Sequence, residues 1–135
     1  MKIAINTCYG GFGISIEALQ LYYKLKYNKE TYVLQKVGDY PNYTFEPTSD
    51  STSYWNKYVF TTPNPIVPES DEEFCSCYDI ERNDPILIEV IEKLGEKADG
   101  QHAKLKIVEI PDDVEWQIGE YDGIEWVEEQ HRRWS

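Results

Sequence analysis

The spacing of apolar and polar positions predicts two helices and several short strands. An apolar stripe at helical spacing runs over 16–26, and a second one follows Asp84 and Pro85, which suit an N-cap and a first helical residue, as far as Gly95. Alternating or continuous apolar runs predict strands over 2–6, 31–37, 54–62, 105–110 and 114–121. The nearly continuous run of 105–110 is typical of a central strand covered on both faces.

These elements predict an α+β fold, a small mixed sheet with two main helices packed on it. A length of 135 residues suits one ordinary domain, so we expect a single domain over 1–135. An irregular insertion is expected around 39–80. Within it, Tyr40 to Ser53 is rich in turn residues and is predicted to be a loop, and Pro63 to Glu73 combines three prolines with an acidic cluster and is predicted to be a solvated excursion or a lid.

The segment Ile124 to Glu129 fits two structures. Asp122-Gly123 is a strong hairpin signal, which would make the segment a strand that pairs back on 114–121. As a helix, the segment would place Ile124, Val127 and His131 on one face, with acidic residues near its start and arginines near its end, as the helix dipole favours. The helix is the preferred interpretation.

Charge excludes several classes of function. The chain has 25 acidic and 13 basic residues, a net charge of −12, so general binding to nucleic acid or to an anionic membrane is not expected. The acidic surface could instead imitate nucleic acid and occupy a cationic groove of another protein, or serve solubility alone. Because there is no basic-then-apolar leader and no apolar stretch long enough for a bilayer, we expect a cytosolic protein.

No residue pattern points to catalysis, to a metal or to a cofactor. Cys75 and Cys77 are one residue apart, which is not the usual spacing of a zinc knuckle with His102 and His131. Cys8 has no histidine near it in sequence to act as its base, and the carboxylates are too abundant to indicate an acid–base pair. Binding is therefore favoured over turnover, with no catalytic residue assigned.

A glycine loop between the first strand and the first helix is the leading candidate for ligand binding. Gly10, Gly11 and Gly13 can expose backbone N–H groups where a helix begins, which is the chemistry of an anion cradle. The spacing matches neither nucleotide-loop pattern. The alternative is a tight strand-to-helix turn with Ser15 as the N-cap.

Arginine occurs at three positions, and each is a candidate for anion binding. Arg82 with Asn83 could form a second anion site, or Arg82 could pair with Glu81 or another acid. The ending His131-Arg132-Arg133-Trp134 could clamp a nucleotide by charge and stacking. Its alternative is charge compensation at a helix end together with a docked tryptophan.

Several blocks of this sequence resemble a group of small phage and prophage proteins that includes or adjoins the Thoeris anti-defence sponge proteins of phages. The matching blocks are Ile5 to Ser15, Glu81 to Pro85, Ala103 to Pro111, Glu120 to Glu125 and His131 to Trp134. The long segment Asn28 to Tyr78 has no counterpart. The resemblance implies a non-enzymatic protein that sequesters a cyclic ADP-ribose signal of a bacterial TIR-domain defence enzyme without cleaving it.

The resemblance also implies a homo-oligomer, such as a hexamer, in the cytoplasm of the infected bacterium, and similar proteins hold cyclic oligonucleotide signals of CBASS defence. In this interpretation the loop holds phosphate, the arginines and Asn83 add charge and hydrogen bonds, and Tyr9 or Trp134 stacks on a base. Arg82→Ala is expected to abolish binding and to leave the fold intact. The alternative functions are an acidic decoy for a cationic host protein and a small nucleotide-processing enzyme. The candidate site residues are Tyr9, Gly10, Gly11, Phe12, Gly13, Ser15, Arg82, Asn83, Arg132, Arg133 and Trp134.

Overall fold

The structure is a computed structural model that describes residues 1–39, 42–48, 57–64, 75–77 and 79–129. Its helices and strands confirm the predicted α+β class. In chain order they are β1 (Lys2–Asn6), α1 (Ile16–Tyr27), β2 (Tyr32–Val37), β3 (Thr44–Pro47), β4 (Lys57–Phe60), α2 (Pro85–Leu94), a 3₁₀ turn (Gly95–Ala98), β5 (Leu105–Glu109), β6 (Trp116–Tyr121) and β7 (Ile124–Glu129). None of the helices within these residues is long and apolar enough to cross a membrane.

The described strands form three antiparallel sheets, with the orders β1-β5, β3-β2-β4 and β6-β7. Contacts divide the chain into two units, one of residues 1–18 and 80–135 and one of residues 19–79. In the first unit α2 packs on β1, and the core contains the fully buried side chains of Ile3, Leu87 and Val90. The single domain over 1–135 stays a prediction.

The strand β5 does not have the central position that its apolar pattern predicts. Among the described strands it pairs with β1 alone, and its side chains are half-buried or exposed. That prediction was wrong because a continuous apolar run does not distinguish a strand covered on two faces from a two-stranded ribbon.

The second unit is built around β2, which lies between β3 and β4. The strand β3 falls inside the stretch predicted to be a loop, so that prediction was wrong for 44–47. Phe45 supplies the physical reason, since its ring packs edge-on against Phe60 of β4 at 4.8 Å and against Tyr58 at 5.6 Å. These aromatic contacts between the two outer strands of the sheet offset the poor strand propensity of the flanking residues. Of the excursion predicted over 63–73, residues 65–73 lie outside the described part.

The segment 124–129 is the strand β7, and the preferred helix interpretation was wrong. Asp122 and Gly123 have φ of +53° and +91°, the left-handed pair that a type I′ hairpin turn requires. The turn returns the chain onto β6, where six residue pairs from Tyr121↔Ile124 to Trp116↔Glu129 align. Because these pairings use the backbone groups of the whole segment, they outweigh the weak dipole preference that favoured the helix.

Candidate functional site at the glycine loop

The glycine loop joins β1 to α1, and its backbone takes conformations that other residues rarely adopt. Gly10 and Gly11 have φ of +116° and +99°. A Cβ atom on Gly10 would lie 2.7 Å from Cβ and 2.8 Å from the carbonyl oxygen of His102. Close packing against His102 therefore requires glycine at position 10. The φ of Gly11 requires glycine for its conformation alone, since a Cβ there meets no atom within 4 Å.

Asn6 at the end of β1 holds the loop in place. Its buried amide nitrogen donates to the carbonyl oxygens of Cys8 at 2.6 Å and Gly123 at 2.7 Å. Its amide oxygen accepts hydrogen bonds from the backbone N–H groups of Cys8 and Lys104. Asn6 thus joins the loop, the hairpin turn and the start of β5, a positioning role that the sequence analysis missed. The only indication of this role in the sequence is that a polar residue, Asn6, ends an apolar strand shortly before the glycines.

The glycine loop and the β6–β7 turn together border an open depression of about 320 Å³. A Cβ on Gly123 would lie 2.5 Å and 2.6 Å from the backbone nitrogens of Gly11 and Gly10, so the backbone of Gly123 packs directly against the loop. Within the described part of the chain, neither N–H group donates a hydrogen bond to protein. The depression is lined by Gly10, Gly11, Glu120, Asp122 and Gly123.

Two carboxylates give the depression its electrostatic character. Glu120 accepts a hydrogen bond from the backbone N–H of Gly123 at 2.5 Å, and Asp122 occupies the turn itself. Carboxylates accept hydrogen bonds from hydroxyl and amino groups and repel a phosphate. Neither residue was among the site residues predicted from the sequence, although both lie at the Asp122-Gly123 turn signal.

Two exposed tyrosines are sequence neighbours of residues that line the depression. Tyr9, next to Gly10, is 65% exposed, and Tyr121, next to Asp122, is 74% exposed. Both rings are accessible to solvent, and the stacking role of Tyr9 stays a prediction.

Ser15 serves the helix, as the N-cap alternative predicted. Its hydroxyl oxygen accepts a hydrogen bond from the backbone N–H of Ala18 at 3.0 Å, and its proton is donated to the carbonyl oxygen of Lys97 at 2.6 Å. The side chain is buried. Because the one hydroxyl proton is already donated, Ser15 has none left for a phosphate oxygen.

Arg82 forms a bidentate ion pair with Glu125 of β7. The distances are 2.6 Å from Nη1 to Oε1 and 2.9 Å from Nη2 to Oε2, and the two side chains are 23% and 8% exposed. The guanidinium carbon lies 3.6 Å from the ring centre of Phe12, which places it over the glycine loop. Arg82 therefore forms an ion pair, the alternative that the sequence offered to an anion site, and its partner is Glu125 and not Glu81.

The same pair closes the second edge of β1. The backbone N–H of Ala4 donates to the carbonyl oxygen of Arg82 at 2.8 Å, and the guanidinium donates back to the carbonyl oxygen of Ala4 at 3.3 Å. The backbone N–H of Asn6 donates to Glu125 Oε1 at 2.9 Å. Arg82 and Glu125 thus provide hydrogen bonds that a neighbouring strand would otherwise provide.

Two further predicted site residues within the described part of the chain make other contacts. The amide nitrogen of Asn83 lies 3.8 Å from the sulfur of Met1, and Asn83 lines a separate cavity of about 580 Å³ beside α2. Gly13 accepts a hydrogen bond from the N–H of Gly100. Arg132, Arg133 and Trp134 lie outside the described residues.

One thiol in the second unit has a shifted acidity. Burial raises the pKa of Cys75 to about 11, so this thiol is neutral at physiological pH and a poor nucleophile. Burial also raises the pKa of Tyr23, whose hydroxyl contacts the same sulfur. Among the described residues, no group of three or more histidine, cysteine or acidic side chains is arranged to hold a metal ion.

Comparison of the chain with protein-family models, with curated proteins and with solved structures finds no match. The resemblance to anti-defence sponge proteins therefore stays a prediction from sequence blocks.

Proposed function

We propose that this protein binds a cyclic nucleotide signal of bacterial immunity, of the cyclic ADP-ribose type, and withholds it from its receptor without cleaving it. The observation that carries the proposal is the open depression between the glycine loop and the β6–β7 turn. It is lined by the backbone of three glycines and by Glu120 and Asp122, and the exposed Tyr9 is the sequence neighbour of Gly10.

The chemistry of the depression assigns different parts of a nucleotide to its walls. Ribose hydroxyls and base amino groups donate hydrogen bonds to Glu120 and Asp122. The base stacks on Tyr9, a contact worth about 1–3 kcal/mol for one base on one aromatic ring. The anionic part of the ligand must lie away from the two carboxylates, toward the glycine loop.

Arg82 supports this site in a different way from the one that the sequence suggested. Its charge is matched by Glu125, so the pair adds little net positive potential for a phosphate. Its contact with the ring of Phe12 instead fixes one side of the glycine loop. The role of the arginine is to position the loop, and the direct contacts with the ligand come from the residues of the depression.

A ligand panel tests the proposal directly. Purified protein is mixed with cyclic ADP-ribose isomers and with cyclic di- and trinucleotides, and the bound fraction is analysed by mass spectrometry before and after heating. We expect one compound to be retained and then released unchanged on heating. If no compound is retained, the proposal fails. If the retained compound is released as a cleavage product, the protein is a nucleotide-processing enzyme.

Point variants locate the site. Tyr9→Ala is expected to weaken binding by about 5- to 150-fold through lost stacking. Asp122→Asn removes one carboxylate while asparagine still tolerates the positive φ of the turn, so it is expected to weaken binding without unfolding the hairpin. The matched control is Asp113→Asn, an equal charge change at an exposed position outside the depression. If all three variants bind the ligand as tightly as the unaltered protein does, the ligand binds elsewhere.

A further inference from the structure

The β6–β7 hairpin has one face that is turned to solvent. Cross-strand partners lie on the same face, so the register places Gly119 with Trp126 and Tyr121 with Ile124 on this outward face, followed by Gln117 with Glu128. Tyr121 is 74% exposed and Trp126 is 43% exposed. Two large aromatic side chains at this level of exposure are unusual on a two-stranded sheet and indicate a surface for a partner.

The ring of Trp126 is held as a platform. It lies over Gly119, where a Cβ atom would come within 2.4 Å of the indole ring. Its Nε1–H donates to Glu128 Oε2 at 2.9 Å, and Gln117 donates to Glu128 Oε1 at 2.7 Å. Because the ring is already fixed by these contacts, a partner that stacks on it loses little conformational entropy in the indole.

The negative charge of the surrounding segment favours a cationic partner. From Ile107 to Glu129 the chain has no lysine, arginine or histidine, and its nine acidic residues are Glu109, Asp112, Asp113, Glu115, Glu120, Asp122, Glu125, Glu128 and Glu129. Arg82 pairs with Glu125 and the amino group of Met1 with Asp112, which leaves the segment strongly negative. Arg132 and Arg133, which follow in sequence, lie outside the described residues.

We propose that the outward face of the β6–β7 hairpin binds an arginine-rich segment of another protein. One guanidinium stacks on Trp126 beside Glu128, the acid that the register places on this face, and the acids of the surrounding segment attract the other arginines. A second copy of this chain is disfavoured as the occupant, because it would bring its own acidic hairpin against this one. Nucleic acid is disfavoured for the same reason. The two residues that carry the proposal, Trp126 and Glu128, do not line the depression at the glycine loop.

Two labelled peptides of equal length and charge test the surface, one with six arginines and one with six lysines. Fluorescence anisotropy at 0.15 M salt is expected to show tighter binding of the arginine peptide, since guanidinium stacks on indole better than ammonium does. Trp126→Ala is expected to weaken binding of the arginine peptide by about 3- to 30-fold and of the lysine peptide by less. Trp126→Tyr, which keeps an aromatic face, is expected to restore part of the affinity.

Two controls separate this surface from the general acidity of the chain. Tyr32→Ala removes an exposed ring in the second unit, and Glu89→Gln removes a charge on α2; both are expected to leave the preference for arginine unchanged. Equal affinity for the two peptides, unaffected by Trp126→Ala, would reduce the interaction to non-specific attraction and overturn the proposal. Binding of a neutral oligosaccharide that depends on Trp126, with no preference for arginine, would assign the platform to sugars and overturn it as well.

Discussion

The ion pair between Arg82 and Glu125 also forms hydrogen bonds with the backbone of β1. Glu125 Oε1 accepts hydrogen bonds from both the guanidinium and the N–H of Asn6, and Arg82 exchanges two hydrogen bonds with Ala4. Removal of the Arg82 side chain leaves the buried carboxylate of Glu125 without its cation and removes a hydrogen bond from the carbonyl oxygen of Ala4, while Glu125→Gln leaves the half-buried guanidinium without its anion. These losses destabilise the fold.

We therefore predict that Arg82→Ala and Glu125→Gln each destabilise the protein by about 3–5 kcal/mol, the usual cost of breaking a buried ion pair. This replaces the sequence expectation that Arg82→Ala leaves the fold intact. The measurement is urea unfolding followed by circular dichroism. The matched control is Glu92→Gln, whose exposed partner Lys2 lies at 3.3 Å and whose loss is expected to cost less than about 1 kcal/mol. Similar midpoints for Glu125→Gln and Glu92→Gln would show that the buried pair does not stabilise the fold.

Contacts between residues close together in the chain could be predicted from the sequence, and contacts between distant residues could not. Asp84, predicted as an N-cap, accepts a hydrogen bond from the N–H of Ile86 at 2.8 Å, a contact two residues along the chain. The partner of Arg82 lies 43 residues away and became an acid of β7 only because that segment is a strand. No local pattern encodes such a pairing.

At the scale of elements, the β6–β7 turn has two structural roles. It reverses the chain through two residues with positive φ, and it packs Gly123 directly on the amide nitrogens of the glycine loop. Either role alone favours glycine at position 123. Together they make this position intolerant of any side chain.

We predict that Gly123→Ala destabilises the protein by about 1–3 kcal/mol, through the positive φ and the clash with Gly10 and Gly11. Gly13→Ala is the matched control, because Gly13 has no positive φ and a Cβ there meets no atom within 4 Å. Its effect is expected to stay within about 1 kcal/mol and to be stabilising in sign. Thermal unfolding of the two variants checks the difference, and equal melting temperatures would contradict the packing of the turn on the loop.

The elements with a clear period were predicted well from sequence. Both helices and the strands β1, β2, β4, β5 and β6 begin and end close to the predicted positions. The strand β7 was considered and the helix preferred because Ile124 and Val127 satisfy a helical stripe, while the pairing that decides the segment involves β6 and the turn. The strand β3 was missed because Phe45 gains its contacts from β4, which no window over 40–53 contains.

At the scale of the whole molecule, the candidate site could be located from sequence only in part. The glycine loop was identified, but the acids that line the depression come from a turn more than 100 residues later in the chain. These acids place hydrogen-bond acceptors beside a glycine loop that was predicted from the sequence to hold phosphate. Homo-oligomers stay a prediction, and the acidic hairpin is a poor candidate for their interface.

A net charge of −12 on 135 residues means that the folded chain repels itself, because folding brings its acids closer together. We predict that raising NaCl from 10 mM to 0.1 M at pH 7.5 increases the melting temperature by about 2–5 °C, since the screening length falls from about 30 Å to about 10 Å. Differential scanning calorimetry measures the effect. The control is the same titration at pH 4.5, the isoelectric point expected from the sequence, where the net charge and with it the salt dependence should nearly vanish. A melting temperature that falls with salt at pH 7.5 would mean that attractive ion pairs such as Arg82–Glu125 outweigh the repulsion among the acids of the hairpin.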